Sequence, residues 1–209
     1  PSNTNLFVFN GDFVDRGLWG LEILLSVISW KLALPDSITV LRGNHESEYC
    51  TRTYGFHSEI CAKYGNIQGN RLFSKCLQVF SLLPLAAVVN HSTLIVHGGL
   101  WRKPVAFQHR KRRKKGPDSQ PENELQLGTL EELRNAMSGG KDPDGMGNSQ
   151  VAADVLWSDP IPEKGLHENV ERGIGLIFGP DVTEAFLAAN KLSLVIRSHE
   201  GPDAREKRD

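Results

Sequence analysis

Three short motifs gather the residues with chemistry to offer. Gly11-Asp12-Phe13-Val14-Asp15-Arg16-Gly17 comes first, Arg42-Gly43-Asn44-His45-Glu46 second and His97-Gly98-Gly99 third. Each sets ionisable or amide side chains beside glycines, which let backbone pass close to a site. Asp12, Asn44, His97 and, further on, His199 are candidate metal ligands, because carboxylate, imidazole and amide oxygen are the donors that hydrolytic metal ions take. Arg16 and Arg172 are candidate phosphate binders, since a planar guanidinium meets phosphate through two parallel N–H bonds. Two metal ions about 3.5–4 Å apart can activate a water and clamp phosphoryl oxygens. The inventory is that of a two-metal phosphate-ester site. His-Gly-Gly alone would more often be a turn; the other motifs give it weight.

The surrounding pattern says what must position these loops. Residues 6–10 (LFVFN) read as a short buried strand ending at Gly11, and residues 38–41 as a second strand feeding Arg42. Between them, Leu21, Leu24, Leu25, Ile28 and Leu32 recur at helical spacing, so residues 18–31 form a helix packed on the strands. Both motifs then lie past the carboxyl ends of strands, where open α/β sheets place their sites. Residues 51–64 and 71–80 read as helices separated by 65–70. Residues 85–89 and 93–96 read as a strand pair around Asn90-His91-Ser92, the second strand delivering His97. Residues 101–126 are polar, basic and aperiodic, a long exposed loop. Thr129 is the expected N-cap of a helix over 130–137. Residues 138–150 read as a loop, 183–189 as a helix capped by Thr183, and 192–196 as a last strand leading to Arg197-Ser198-His199-Glu200.

Composition sets outer bounds. The 209 residues are 39% hydrophobic and 23% charged, ordinary for a soluble globular domain. Glu22, Ser26, Ser29 and Lys31 interrupt the longest apolar stretch, so nothing approaches the ~20 residues of a membrane span. Cys50, Cys61 and Cys76 show no C-x-x-C spacing, which predicts reduced thiols rather than a disulfide framework or a zinc ribbon. The net charge of −1 hides an asymmetry: Gln108 to Lys115 (QHRKRRKK) holds six of the 24 Lys and Arg, leaving 18 against 25 acidic residues. Lys141-Asp142-Pro143-Asp144-Gly145 lacks the spacing and closing Glu of a calcium loop. His57, His91, His109 and His167 match no motif and read as surface or structural residues; Trp19 and Trp157 read as core or rim packing.

Six fixed letters in the first motif have a chance frequency on the order of 10⁻⁷ per window. That motif resembles the signature of the phosphoprotein phosphatase family of serine/threonine phosphatases. Arg42 to Glu46 and His97 to Gly99 resemble its next two signatures, and Trp157-Ser158-Asp159-Pro160, Glu171-Arg172-Gly173 and Arg197 to Glu200 its later blocks. Within the family the chain is most similar to the plant type 7 branch, through Trp19-Gly20-Leu21-Glu22, Tyr49-Cys50-Thr51, Arg172-Gly173-Ile174-Gly175-Leu176 and Glu200-Gly201-Pro202-Asp203-Ala204-Arg205. That branch also carries an insert between His97 and Trp157.

The resemblance implies an α/β fold, a metallophosphoesterase-like β-sandwich flanked by helices. Residues 1–209 would be a single domain with a basic loop inserted at about 101–127. It also implies hydrolysis of phosphoserine and phosphothreonine by a hydroxide shared between two metal ions, manganese, iron or zinc. Asp12 would bridge them, with Asn44, His97 and His199 completing the second site. His45 would be the general acid, Asp15 its orienting partner, Arg16 and Arg172 the phosphate clamp, and Asp159 a support behind the ligands. The family's upstream Gly-Asp-x-His-Gly motif and downstream Ser-Ala-Pro-x-Tyr segment do not occur in these residues. A chain that begins at Pro1 is thus expected to be the central part of a longer domain lacking its first and last segments, with the second metal site better supported than the first. The alternative is a truncated, catalytically weak or inactive homologue acting as a protein-binding module. Phosphoproteins are the expected substrates, and neither nucleic acid nor membrane is expected as a partner. The basic run Arg110–Lys115 reads first as a nuclear-import signal, next as an inert loop and last as a calmodulin site, because it lacks the apolar anchors of a target helix. Nucleus and cytoplasm are the expected compartments.

Overall fold

A computed structural model describes residues 2, 4–104, 125–146 and 149–201. Strand β1 (Phe7–Asn10) pairs in parallel with β2 (Ile38–Leu41), in the register Phe7↔Ile38 to Asn10↔Leu41. Helix α1 (Gly20–Ala33) makes the crossover and buries Leu21, Leu24 and Val27. A parallel pair puts the loops after both strands at one end, so Asp12 and Asn44 become neighbours, as the sequence pattern predicts. No side chain at Trp19 caps α1. Instead the buried carboxylate of Glu59 accepts from the Gly20 and Leu21 N–H groups at 3.1 Å each, and Lys63 closes on it at 2.7 Å.

Helix α2 (Glu48–Thr53) starts three residues before the expected 51, because the Ser47 hydroxyl accepts from the Cys50 N–H. The chain breaks at Gly55, with φ +115°, and α3 (Phe56–Leu82) follows. The expected separation at 65–70 is a kink inside α3, where Gly65 alone leaves helical geometry. Phe56, Ile60, Phe73, Leu77 and Phe80 join α1 and β2 in one core.

Strands β3 (Ala86–Val89) and β4 (Thr93–Val96) form the expected hairpin, its turn made by Asn90 and His91 at φ +50° and +54°. After β4, Trp101 is fully buried edge-on against Phe186. Arg102 then bridges Leu127 in antiparallel fashion, Lys103 N–H donates to the Gln126 carbonyl and Gly128 N–H to that of Trp101. The two ends of the expected basic loop therefore meet in a short stem. The run Gln108–Lys115 lies outside the described residues. Helix α4 (Leu130–Asn135) is capped by Thr129 with Glu132 in a reciprocal box, two residues shorter than the sequence predicts.

Helix α5 (Gln150–Trp157) and strands β5 (Asp159–Pro160), β6 (Leu166–Glu168) and β7 (Leu176–Phe178) are elements the sequence pattern does not predict. They form a small sheet in the order β5-β7-β6. Helix α6 (Pro180–Asn190) begins at a proline, which needs no N–H partner there. Thr183 is thus not its cap; its hydroxyl donates to the Gly179 carbonyl inside the first turn. Strand β8 (Leu194–Ile196) pairs in parallel with β4, which places the loops carrying His97 and His199 at one end of a second sheet, β3-β4-β8. Among the described residues no helix is long and apolar enough to cross a membrane.

Candidate active site

The loops after β1 and β2 cross at van der Waals limits. A Cβ on Gly11 would lie 2.4 Å from Gly43 Cα, and one on Gly43 would lie 2.4 Å from Asp12 Oδ1. Both glycines are required by this approach. The first loop also holds Asp12, Asp15 and Arg16 at φ +58°, +73° and +54°, a conformation costing about 1–2 kcal/mol per non-glycine residue. One fully buried carboxylate opposes that cost. Glu46 accepts from Asp12, Phe13 and Gly43 N–H groups, all at 2.8 Å. Burial, reinforced by the nearby Asp12 charge, pushes the Glu46 carboxyl above its ordinary range despite these donors. Arg42, also fully buried, directs its guanidinium to the carbonyls of Glu46, Ser138 and Lys141 at 2.9, 2.8 and 3.0 Å. Burial lowers its pKa to about 10 against the opposing pull of Glu46 and Asp142.

All eight site residues expected from sequence meet here. Asp12, Arg16, Asn44, His45, Arg172 and His199 line one cleft of about 220 Å³. His97 is fully buried beneath Asp12 and Asn44, and Asp15 is sealed behind His45, with no exposed side-chain surface. His45 Nδ1 lies 2.7 Å from Asp15 Oδ2, and the other Asp15 oxygen accepts from Phe56 N–H at the start of α3. The carboxylate therefore fixes the imidazole tautomer, with Nδ1–H donating and Nε2 left for the cleft.

The ligand set fits a cation by its donor chemistry. His97 Nδ1 lies 2.7 Å from the Asn10 carbonyl, which can only accept, so the proton sits on Nδ1. Nε2 then offers a lone pair, yet it faces Asn44 Oδ1 at 3.0 Å and Asp12 Oδ2 at 3.3 Å. Three lone-pair donors converge, and a positive charge between them is what satisfies all three. Burial would lower the His97 pKa, but the hydrogen bond and charge of Asp12 outweigh it and raise it. Burial likewise pushes Asp12 up, and His97 and His45 more than reverse this, leaving it below the usual range. Among the described residues no group of three or more His, Cys, Asp or Glu side chains forms a metal cage by itself; here an amide, Asn44, completes the set.

Asp159 holds the far wall. Its Oδ1 accepts from His199 Nδ1 at 3.0 Å and from Arg197 at 2.7 Å. Its Oδ2 accepts from Arg172 Nε at 2.6 Å and from Asn169 at 3.4 Å. His199 is thereby turned to present Nε2, the usual arrangement of a carboxylate behind a metal-binding imidazole. Arg172 keeps its two terminal nitrogens for the cleft. Burial raises the Asp159 pKa, but His199 and Arg172 override this and take it far below the carboxylate range.

Four further residues line the cleft, and of these Tyr54 alone belongs to no sequence motif. Tyr54 packs 5.1 Å from the His45 ring and beneath the Arg16 guanidinium, also at 5.1 Å. Trp157, read as packing, lines the cleft edge-on to His199, and Glu200 and Gly201 complete the rim. Trp19 is on the surface, 64% exposed beside Lys63. His57, His91 and His167 do not line the cleft, and His109 lies outside the described residues. Asp142 and Asp144 accept from Tyr49 N–H and from Met146 N–H and the Ser149 hydroxyl, respectively, so these carboxylates serve turns.

The calcineurin-like phosphoesterase family model matches residues 1–203. The chain belongs to this family. Serine/threonine-protein phosphatase 7 of Arabidopsis thaliana is 50% identical over 212 residues, covering 100% of the chain and 51% of the relative. Serine/threonine-protein phosphatase 5 of Homo sapiens is 40% identical over 200 residues, covering 96% of the chain and 34% of the relative. A solved phosphatase of Saccharomyces cerevisiae, described as similar to human phosphatase PP5, superposes with a TM-score of 0.72 at 34% identity, covering 94% of the chain and 52% of that structure. This calcineurin-like phosphoesterase is thus similar to proteins named as serine/threonine phosphatases, the type 7 relative among them. It spans about half the length of the type 7 relative and of the yeast structure.

Proposed function

We propose that residues 1–209 belong to the catalytic domain of a metal-dependent protein serine/threonine phosphatase. The observation that carries this is one cleft holding a carboxylate-oriented imidazole, two arginines and a converging set of metal-type donors. Asp12, Asn44, His97 and His199 would hold the metal. When bound, the ions neutralise phosphoryl oxygens and lower the pKa of water; manganese, iron and zinc all suit these donors. Arg16 and Arg172 grip the phosphate from two sides. Water adds to phosphorus and releases a proton to solvent, the bond to the serine or threonine oxygen breaks, and the imidazolium form of His45, its Nδ1–H held by Asp15, gives that oxygen its Nε2 proton. The binding-module reading is less favoured, because every active-site residue expected in this span is present in the sequence.

The full-length protein with added manganese is expected to release phosphate from a phosphoserine peptide, and a chelator to cut turnover at least ~100-fold, restored by manganese. Turnover indifferent to chelation would refute the metal dependence. The basic run Arg110–Lys115 is read as an import signal, and it is the ground for proposing a nuclear as well as a cytoplasmic location. A fluorescent reporter fused to residues 101–120 should concentrate in nuclei; one that distributes like the reporter alone refutes this.

A further inference from the structure

Arg172 stands on a hairpin that pairs with β5 through β7 and donates from Leu176 N–H to the Ser158 hydroxyl oxygen, and whose foot one distant side chain also braces. Strands β6 and β7 are antiparallel, with Glu168 opposite Leu176, so residues 169–175 form their connecting turn. Inside the turn, Asn169 N–H donates to the Gly175 carbonyl at 3.1 Å, and Asn169 Oδ1 accepts from Arg172 N–H at 3.2 Å. Arg172 is 35% exposed, and its one side-chain anchor is Nε on Asp159. Where its guanidinium sits depends on where the base of this hairpin is held.

Arg102 holds that base. Its Nη1 reaches Glu168 Oε1 at 3.0 Å and its Nη2 the Gly175 carbonyl at 3.4 Å, the two sides of the turn's foot. The same guanidinium makes a two-pronged contact with Asp154 of α5, Nε to Oδ2 at 2.9 Å and Nη2 to Oδ1 at 3.1 Å, and its backbone N–H adds a third bond to that carboxylate. Asp154 is 1% exposed, so the anchor is rigid. A fork of five N–H donors fixed in one plane suits a brace between a helix and a hairpin; a single ammonium cannot span these acceptors.

We infer that Arg102 is a positioning residue for phosphate binding, acting through the β6–β7 hairpin on Arg172. The inference rests on the phosphatase reading above and adds a residue that touches neither phosphate nor metal. Misplacing a binding group by about 1 Å can cost up to ~100-fold in rate, so losing one brace is expected to cost about tenfold.

The test uses the full-length protein with manganese and a phosphoserine peptide. Arg102→Lys keeps a cation beside buried Asp154 but gives up the fork. It should raise KM, and the inhibition constant of inorganic phosphate with it, by about tenfold, with kcat within about twofold of the parent. Glu168→Ala alters a side chain 69% exposed, leaves the fold unstressed, and should raise both constants by about threefold. Neither substitution should add to Arg172→Ala, because the brace has nothing left to position. Unchanged constants in Arg102→Lys, or an equal effect in the Arg172→Ala background, would overturn the inference. Absence of peptide dephosphorylation in the parent protein would instead overturn the phosphatase reading.

Discussion

Replacing His45 by alanine in the full-length protein should lower kcat on a phosphoserine peptide by about 10³-fold, within the ~10²–10⁴ that a positioned general acid contributes. The expectation follows from placement. His45 lines the cleft while its Nδ1–H is committed to Asp15 at 2.7 Å, so Nε2 is the one ring position open to a leaving oxygen. An alkoxide leaving group is a strong base and needs that proton; an aryl oxide does not. The same variant should therefore lose far less activity, about tenfold, on an aryl phosphate. Equal losses on both substrates would point to a damaged cleft. Undiminished turnover of the peptide would remove His45 from the role.

Asp159→Ala should have the second largest effect, because one carboxylate serves three cations or potential cations. Arg197, His199 and Arg172 all donate to it within 3.0 Å, and Asp159 is 3% exposed. Deleting one partner of a buried charged network costs about 3–5 kcal/mol, since the remaining charges stay desolvated and unpaired. Urea unfolding should register a loss of about 3 kcal/mol for this reason. Turnover should fall further than Arg172→Ala alone would cause. His199 loses the acceptor that holds its Nδ1 and leaves Nε2 for the cleft, and Arg172 loses its Nε anchor in the same step. A kcat/KM decrease of about 10³-fold in protein shown to be folded is the expected result. A variant with parent stability and a loss no greater than that of Arg172→Ala would refute the hub.

The motif loops were legible because their chemistry is local. Gly11 to Gly17 and Arg42 to Glu46 each follow a short β-branched or aromatic strand, and the parallel pairing of those strands follows from the helix between them. Helix α5 was hidden for the opposite reason. It is eight residues long and Val151 to Leu156 are buried on every side, and an apolar run that short reads equally as a buried strand. Strands β5 to β7 are two or three residues long, below the length at which alternation can be read. The breaks at Gly55 and Gly65 depend on which glycine takes a left-handed conformation, and each is equally plausible from its neighbours. Tyr54 and Arg102 are missed because their roles come from partners 9 or more positions away in the sequence, such as His45 and Asp154. Neither sits in a pattern of chemistry-bearing residues.

The stem at Trp101–Lys103 and Gln126–Gly128 has an architectural consequence. The chain leaves the core at a fully buried tryptophan and returns beside it, joined by backbone bonds of 2.7 and 2.8 Å. Loop closure is already accomplished at that point, so each doubling of what lies between costs only about 0.6 kcal/mol. The sequence there is free to change length, charge or content with little demand on the three sheets. This is where the fold tolerates the splicing of a foreign domain into its middle, and where a lineage can append new control to an old catalyst.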